Sequence, residues 1–217
     1  MNVYFTSDTH FGHLNIIKYC NRPFASVEEM DETLVRNWNE TVGHEDIVVH
    51  LGDLTLANRL PNHPRLFDAI RVLKGHKVLI GGNHDGNKLR QTLKELGWLV
   101  LPELNPLSNV KMMHYPPVIA EEGVVYIHGH SHGTVTRKGC VDVGVDVVGF
   151  RPIPCSQVAE LCSVHVAVDG LLLKQSILKF VADAKCALTV PDTFIACGEG
   201  EKQERFYCSG LCLEADK

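Results

Sequence analysis

With 217 residues, the chain is long enough for one sizeable hydrophobic core with an appendage, and too short for two full domains to be expected. Its 45% of hydrophobic and 22% of charged residues are typical of a soluble globular protein. The net charge of -5 and the lack of a polybasic run exclude a general attraction to nucleic acid or anionic membranes. Binding of a polynucleotide would need a local basic patch or metal ions.

The N-terminus carries no basic stretch followed by a long apolar one, and no apolar run reaches the ~18 residues of a membrane span. We therefore expect a cytoplasmic protein. Six of the eight cysteines lie between Cys155 and Cys212, and we expect them to be reduced thiols. The twelve histidines are a more informative excess, because imidazole binds transition metals and transfers protons near neutral pH.

The first predicted strand covers residues 2–7 and ends in polar side chains. Asp8 and His10 follow it two positions apart, so on an extended segment both would point to the same side and could bind one cation. Further on, Ser26 and Glu29 form a capping box, which predicts the start of a helix. The apolar face of that helix has three members: Met30, Leu34 and Trp38.

Two buried strands in the middle of the sequence also end in polar residues. The strand at residues 46–51 leads into Gly52-Asp53, and the strand that begins at Val78 leads into the run Gly81-Gly82-Asn83-His84-Asp85. The glycines of that run allow a tight exit turn, and its carboxylate is placed to accept a hydrogen bond from its imidazole and fix the tautomer. Helices are predicted at residues 61–74 and at residues 87–96.

The next part of the sequence is rich in strands. Residues 110–113 precede His114, and residues 124–128 precede Gly129-His130-Ser131-His132. Residues 140–148 alternate Val with Asp and Gly, as a strand of a two-faced sheet would. Strands and helices followed by a strand-rich half predict an α/β fold of two packed mixed β-sheets flanked by helices.

Beyond about Gln157 the pattern is weaker. Asp169-Gly170 lies between two apolar runs and predicts a hairpin turn. Residues 176–187 are a predicted helix, and the last thirty residues resemble a loosely ordered tail. We therefore divide the chain into a main domain at residues 1–156 and a cysteine-containing extension at residues 157–217, which either packs on the core or is partly disordered.

The polar strand ends, taken in order, read Asp8-x-His10, Gly52-Asp53, Gly82-Asn83-His84-Asp85, His114 and Gly129-His130-x-His132. This series resembles the calcineurin-like metallophosphoesterase superfamily, whose blocks occur in the same order, and it covers roughly residues 1 to 155. Neighbouring residues resemble the compact bacterial and phage branch. The resemblance implies the superfamily's four-layer sandwich of two sheets and flanking helices.

The resemblance also implies a pair of divalent metal ions. One ion would be held by Asp8, His10 and His132, and the other by Asn83, His114 and His130, with Asp53 bridging the two. Oxygen and nitrogen ligands without sulfur suit Mn, Fe, Zn, Ni or Co, and the resemblance favours Mn. Two carboxylates and one hydroxide would leave the site about one positive charge for a phosphate to neutralise.

By the same resemblance, a hydroxide bridging the metals attacks phosphorus. His84 would contact the phosphate and protonate the leaving alkoxide, and Asp85 would hold the ring of His84. His13, Asn15 and Tyr115 are candidates for substrate contacts, although a helix N-terminal or surface role is an alternative for each. Arg137 is a further candidate of the same kind.

The remaining histidines and cysteines match none of the blocks. We expect the histidines outside the blocks to be structural or exposed, with His128 turned away from the site or bonded to backbone. Cys197, Cys208 and Cys212 suggest a zinc knuckle, but their spacings do not match two ligand pairs. A docking or oligomerising role for this tail is a second interpretation.

The leading hypothesis is a phosphoesterase that acts on a small phosphoester or a nucleotide-type substrate, with nucleic acid left open and no membrane partner. A phosphodiester is favoured over a monoester because no arginine cluster is available for a dianion. The alternative is a catalytically quiet metal-binding scaffold of the same fold, although such proteins typically lack one or more of the ligands.

Overall fold

A computed structural model describes residues 1–164 and 166–189 of the chain. The fold consists of two mixed β-sheets flanked by helices, which confirms the predicted fold class. One compact unit comprises Met1–Leu178, and a second unit begins at Lys179. Every element that positions the site lies in the first unit. Within the described residues, no helix combines the length and apolarity needed to span a membrane.

The first sheet has five strands. Their bounds are β1 Val3–Thr6, β2 Ile47–His50, β3 His76–Ile80, β4 Leu99–Leu101 and β9 Ile153–Pro154. The order is β4-β3-β2-β1-β9, with β1 to β4 parallel and β9 antiparallel to β1. All four residues of β2 are buried, because a central parallel strand is covered on both faces.

The second sheet has four strands, and it lies beside the first sheet at the carboxyl end of β1. Its members are β5 Leu104–Leu107, β6 Val110–Met112, β7 Val125–His128 and β8 Cys140–Asp142, in that spatial order. The β5 strand is antiparallel to β6, whereas β6, β7 and β8 are parallel. A single bridge between Ser7 and Gly144 joins the carboxyl end of β1 to the segment that follows β8. The polar ends of both sheets are thereby brought together.

Seven α-helices and one 3₁₀ turn, Leu60–Asn62, complete the described elements. The helices are α1 Leu14–Tyr19, α2 Val27–Thr41, α3 Pro64–Arg71, α4 Asn87–Glu95, α5 Val145–Val148, α6 Cys155–Ser163 and α7 Gly170–Thr189. The predicted cap is confirmed, since Ser26 Oγ accepts the N–H of Glu29 at 3.1 Å. The predicted apolar face of α2 is also buried, in one cluster with the core side chains of β2 and β3.

Three predictions of secondary structure are wrong in part. The helix expected at residues 61–74 begins only at Pro64, because proline fits the first turn of a helix and disfavours a helical residue before it. The strand expected at residues 140–148 stops at Asp142 and is followed by α5. The helix expected at residues 176–187 begins earlier, at Gly170.

The predicted hairpin at Asp169-Gly170 is wrong. Asp169 Oδ1 accepts the backbone N–H groups of Leu171 and Leu172, at 2.8 and 3.1 Å, and so caps α7. An aspartate followed by glycine fits a helix N-terminus as well as a turn, and here the apolar residues that follow pack as a helix. His165 lies outside the described residues.

The compact unit continues past the predicted division after residue 156. Helix α6 packs against β1, β8 and β9, so the first part of the predicted extension lies on the sheets. A separate role for the extension stays a prediction. Cys20, Cys140, Cys155 and Cys162 are free thiols, as expected. The tail and its three knuckle cysteines, Cys197, Cys208 and Cys212, lie outside the described residues.

Candidate metal centre

The predicted ligands all lie on loops that leave the carboxyl ends of strands. They are Asp8 and His10 after β1, Asp53 after β2, Asn83 after β3, His114 after β6, and His130 and His132 after β7. The carboxyl edge of parallel strands is the usual place for ligand binding in open α/β sheets.

Five of these seven residues have a left-handed backbone, which is uncommon for residues other than glycine. Their φ angles are 56° at Asp8, 53° at His10, 56° at Asp53, 65° at His130 and 46° at His132. In the described part of the chain, Asn21 and Phe150 are the other non-glycine residues with a positive φ. Each such residue costs of order 1–3 kcal/mol, and this strain is concentrated at the site.

The backbone at Asp8 and His10 corrects one expectation from the sequence. We predicted an extended segment, and this is wrong, since both residues have φ above 50°. The loop is instead fixed by β2 and its exit, because Asp8 N–H donates to Gly52 O and His10 N–H to Asp53 O. The two side chains still converge, because the loop turns sharply.

Asp8, His10 and His132 form the first group, which we call the Asp8 half-site. Their ligand atoms lie within 4.8 Å of one another. Nε2 of His10 is buried and has no hydrogen-bond partner within the described structure, as expected for a nitrogen that binds a metal. Burial lowers the pKa of His10 to about 2, so the imidazole is neutral and keeps a lone pair for a cation.

Asn83, His114 and His130 form the second group, the His114 half-site. Nδ1 of His114 contacts the carbonyl oxygen of Leu51 at 2.7 Å, which leaves Nε2 to face the site. That nitrogen is 3.2 Å from Oδ1 of Asn83. Ligand atoms of His114, His130 and Asp53 lie within 4.8 Å of one another, so this group also fits one cation.

Asp53 lies between the two half-sites. Its Oδ2 is 3.7 Å from Nε2 of His10, and its Oδ1 is 3.4 Å from Nε2 of His114. Burial alone would raise its pKa, but the hydrogen bond and charge of His114 hold the pKa of Asp53 below its usual range. A carboxylate that stays ionised and faces both groups fits the predicted bridging position.

Asp8 ties the two half-sites together. Both of its carboxylate oxygens accept the backbone N–H of His130, at 3.0 and 2.9 Å. Burial raises the pKa of Asp8 to about 7 in the protein without metal. A nearby cation would restore the charged form, because an opposite charge favours ionisation. The nitrogen and oxygen donors therefore fit divalent metal ions in both half-sites.

Two glycines allow this close approach. A Cβ atom at Gly82 would overlap Oδ1 and the backbone nitrogen of Asp53, and a Cβ at Gly129 would overlap the side chains of Ser7 and Asp8. At these two positions next to the predicted ligands, any larger residue would clash, so the predicted blocks need glycine there.

The ring of His84 lies at the mouth of the site. Its side chain is 38% exposed, its Nε2 is 3.8 Å from Asp53 Oδ2, and its backbone N–H donates to Asp53 Oδ1 at 3.0 Å. Ligand atoms of His84, His10 and Asp53 also lie within 4.8 Å of one another. An exposed ring beside a buried carboxylate can reach a bound phosphate.

The predicted role of Asp85 is wrong. Asp85 does not hold the ring of His84, because its oxygens accept the backbone N–H groups of Asp53, Leu54 and Gly82 at 2.8 to 3.0 Å. This buried carboxylate joins the loop after β2 to the loop after β3. It therefore acts on the shape of the site rather than on proton transfer.

The three candidate substrate residues differ in position. His13 lies beside the Asp8 half-site, with its ring centroid 5.4 Å from that of His10. Tyr115 is half exposed, and its ring centroid is 4.4 Å from that of His130. Asn15 is exposed on α1, and its substrate contact stays a prediction. Arg137 donates to the carbonyl oxygen of Pro117.

Two residues at the site were missed by the sequence analysis. Asp146, at the start of α5, accepts a hydrogen bond from Nδ1 of His132 at 2.7 Å, and Arg22 forms an ion pair with Asp146. Asp146 follows strand β8, so the pattern used for the other strands, polar residues after a strand end, could have indicated it. Nothing in the sequence around Arg22 indicated its role, because its partner is 124 positions away.

Two of the remaining histidines have structural roles, as expected. His128 is fully buried, and its Nδ1 contacts Gly129 O at 2.8 Å. His50 is also buried, and its ring contacts Thr9 Oγ1 at 3.1 Å while its Nδ1 accepts the N–H of Gly52. Both rings support loops that carry ligands without being ligands themselves.

Comparison with known proteins agrees with the geometry. The model of the calcineurin-like phosphoesterase family matches residues 1–159. The chain belongs to this family. An uncharacterized protein of Methanocaldococcus jannaschii is 37% identical to it over 169 residues, which cover 73% of this chain and 90% of that protein. The Gene 66 protein of Mycobacterium phage D29 is 30% identical over 197 residues, 74% of this chain and 95% of that protein.

A solved structure supports the fold alone. A protein of unknown function from Aquifex aeolicus, AQ665, is 24% identical and superposes with a TM-score of 0.57. The match covers 74% of this chain and 98% of that one. The family, the fold and the two groups of candidate ligands together identify a metallophosphoesterase-type protein with candidate sites for divalent metals.

Proposed function

We propose that the protein is a dinuclear metal-dependent phosphoesterase that hydrolyses a phosphodiester. The observation that carries the proposal is the arrangement of the Asp8 and His114 half-sites on either side of one buried carboxylate, Asp53. When bound, two divalent ions would generate a nucleophile from water at neutral pH and stabilise negative charge on the phosphoryl oxygens. Mn is the first candidate metal.

The residues of the chain have distinct tasks in this proposal. Asp53 faces both half-sites and keeps them at a fixed separation. The neutral ring of His10 and the ring of His114 supply nitrogen ligands from opposite sides of Asp53. Because these side chains are buried and their loops leave the ends of strands, they would hold the ions, and through them the phosphate, in a fixed position.

His84 is the proposed general acid. Its ring is exposed at the mouth, while its backbone is anchored to Asp53 Oδ1. From that position Nε2 can donate a proton to the oxygen that leaves phosphorus. Since Asp85 does not touch the ring, contact with the phosphate and the neighbouring ring of His10, 5.3 Å away between centroids, would orient it.

His13 and Tyr115 are the proposed substrate contacts. They lie on opposite sides of the mouth, His13 beside the Asp8 half-site and Tyr115 against His130 of the His114 half-site. A half-exposed tyrosine ring offers an apolar face to the group esterified to phosphate. A diester has such a group on each side of phosphorus, whereas a monoester has one.

The arginines near the loops favour a diester over a monoester. Arg22 donates to Asp146 and to two backbone carbonyls, and Arg90 donates to the carbonyls of Asp85 and Gly82. Both guanidinium groups are therefore engaged in holding the loops. A dianionic monoester would profit more from a free guanidinium at the mouth than a monoanionic diester would.

The test is hydrolysis of bis(p-nitrophenyl) phosphate and of p-nitrophenyl phosphate by protein that has been stripped of metal and reloaded with Mn²⁺. We expect activity that depends on metal, with a higher kcat/KM for the diester. A higher kcat/KM for the monoester would reverse the substrate assignment. Two bound Mn²⁺ ions without hydrolysis across a panel of phosphoesters would favour the alternative, a metal-binding scaffold.

A further inference from the structure

A buried ion pair stands behind the Asp8 half-site and contains none of the predicted ligands. Arg22 donates from Nε to one carboxylate oxygen of Asp146 and from Nη2 to the other, at 2.8 Å each. The side chains are 0% and 8% exposed, respectively. An ion pair this deeply buried is costly unless its hydrogen bonds are satisfied, so its further contacts are informative.

Asp146 reaches a ligand through its second contact. Its Oδ2 accepts a hydrogen bond from Nδ1 of His132 at 2.7 Å, which leaves Nε2 of that ring to bind a cation. A carboxylate at the far nitrogen of a metal-binding histidine fixes the tautomer and orientation of the ring and increases the basicity of the ligand nitrogen.

Arg22 acts on the other side of the same half-site. Its Nη2 donates to the carbonyl oxygen of Asp8 at 2.7 Å, and its Nη1 donates to that of Thr9 at 3.0 Å. The backbone of Asp8 is left-handed, with φ of 56°, and needs such contacts to stay so. One guanidinium group therefore holds the backbone of Asp8 and, through Asp146, the ring of His132.

The His114 half-site is held differently. The far nitrogen of His114 contacts a neutral backbone carbonyl, Leu51 O, at 2.7 Å. No charged side chain other than the bridging Asp53 is described in contact with the His114 ring. A change at Arg22 or Asp146 should therefore affect the two half-sites unequally.

We propose that Arg22 and Asp146 are positioning residues that give the Asp8 half-site its metal affinity, and that the His114 half-site does not depend on them. The inference rests on the proposed pair of metal ions. Asp146 is not itself a ligand in this account. It lies in one group with Cys20 and His132, but both of its oxygens already accept hydrogen bonds from Arg22.

The experiment is a calorimetric titration of metal-free Asp146→Asn protein with Mn²⁺, beside the wild-type protein. The asparagine keeps the size of the side chain and removes its charge. We expect two sites in the wild type. In the variant we expect one site of unchanged affinity and one weakened by about 10–100-fold, the usual effect of losing such a partner.

A matched control is Asp31→Asn. Asp31 is another buried carboxylate paired with an arginine, since it accepts Arg65 Nη2 at 2.8 Å, but it contacts no predicted ligand side chain. We expect this variant to lose stability and to keep both Mn²⁺ sites at wild-type affinity. Equal weakening in both variants would assign the effect to general destabilisation and overturn the inference.

Arg22→Lys provides a second variant if Asp146→Asn does not fold. Lysine keeps the charge, but its single ammonium group cannot replace the planar fork that serves Asp146 and two carbonyls. The same selective loss of one site is expected. A folded variant that binds Mn²⁺ at both sites with wild-type affinity would overturn this inference and leave the proposed function standing. A wild-type protein that binds fewer than two Mn²⁺ ions overturns the proposed function as well.

Discussion

The two half-sites use similar ligands but are built in different ways. The Asp8 half-site lies deep in the protein, with Asp8 and His10 buried and an ion pair behind His132. The His114 half-site is open, because Asn83 and His130 are exposed and a backbone carbonyl supports the His114 ring. The Asp8 half-site is thus the more buried of the two, while the His114 half-site faces solvent beside Tyr115.

In the proposed dinuclear centre, this difference predicts a division of labour between the two ions. The enclosed Asp8 half-site would bind its ion more tightly, because its neutral imidazole and its carboxylates are buried and held in place. The open His114 half-site can admit a phosphoryl oxygen to its ion without a large rearrangement.

Asp53→Ala should have the largest effect, because Asp53 is the one predicted ligand that both half-sites share. We expect the variant to lose both Mn²⁺ ions after dialysis and to lose at least about 10³-fold in kcat, since neither charge stabilisation nor nucleophile generation would remain. Metal content by mass spectrometry and hydrolysis of bis(p-nitrophenyl) phosphate measure the two effects. Retention of one tightly bound ion would show that the half-sites are independent.

His84→Ala should separate chemistry from metal binding. We expect both ions to remain, and kcat for a diester with an alkoxide leaving group to fall by about 10²–10⁴-fold, because proton donation is lost. With p-nitrophenolate as the leaving group the loss should be much smaller, since that group leaves without a proton. A wild-type rate for the alkoxide substrate would contradict the assignment of the general acid. Loss of an ion would make His84 a ligand.

Gly82→Ala should disturb the shared Asp53 and the His114 half-site, whereas Gly129→Ala should disturb the Asp8 half-site. The new methyl group would press on Asp53 and His114 at position 82, and on Ser7 and Asp8 at position 129. We expect each change to reduce the free energy of unfolding by about 1–3 kcal/mol, as overpacking does. Gly129→Ala should weaken Mn²⁺ binding at the Asp8 half-site more than at the His114 half-site.

The control for these variants is Gly43→Ala. Gly43 is exposed, its φ is not positive, and a Cβ there would meet only the end of the Asp46 side chain, at 3.1 Å. For this variant, chemical denaturation should give a free energy of unfolding near that of the wild type, and calorimetry should give wild-type Mn²⁺ affinities. Equal Mn²⁺ affinities in all three variants would contradict the steric role assigned to Gly82 and Gly129.

His50 should give the metal-free protein a pH-dependent stability. Burial lowers the pKa of His50 to about 3, whereas an unfolded histidine titrates near 6.5. The unfolded state therefore binds more protons between these values. Stability contributed by the neutral ring is present above about pH 6.5 and is lost as the pH falls towards 3.

The magnitude of this effect is at most about 1.4 kcal/mol per pH unit within that interval. The measurement is chemical denaturation of wild-type and His50→Gln protein in the presence of a chelator between pH 7 and pH 4. We expect the wild-type curve to fall more steeply than that of the variant. Parallel curves would mean that folding does not lower the pKa of His50.

Through the family that it resembles, the series of polar strand ends predicted the fold class, which is confirmed, and the two groups of candidate ligands. The strands could be read from short apolar runs, and their ends carry side chains of distinctive chemistry. The loops could not be read in the same way. Asp8 and His10 converge through a left-handed backbone that is fixed by hydrogen bonds to the exit of β2, some 45 residues further along the chain.

The errors at Asp85 and Asp169 have a related cause. Asp85 was predicted to hold the ring of its neighbour His84, and Asp169-Gly170 was predicted to form a turn, but both carboxylates accept backbone N–H groups instead. Asp85 binds N–H groups about thirty residues away, and Asp169 caps a helix where a turn was expected. Arg22 could not be assigned, because its contacts depend on tertiary packing over 124 positions. The motif pattern therefore predicted the candidate ligands but not the residues that support them, because those contacts depend on tertiary packing.

The most direct test of the account is a crystal structure of the protein loaded with Mn²⁺, with the ions located by anomalous scattering. The account predicts two peaks about 3.5–4 Å apart, one beside His10 and one beside His114, with Asp53 contacting both. A single peak, or two peaks that do not share Asp53, would contradict it.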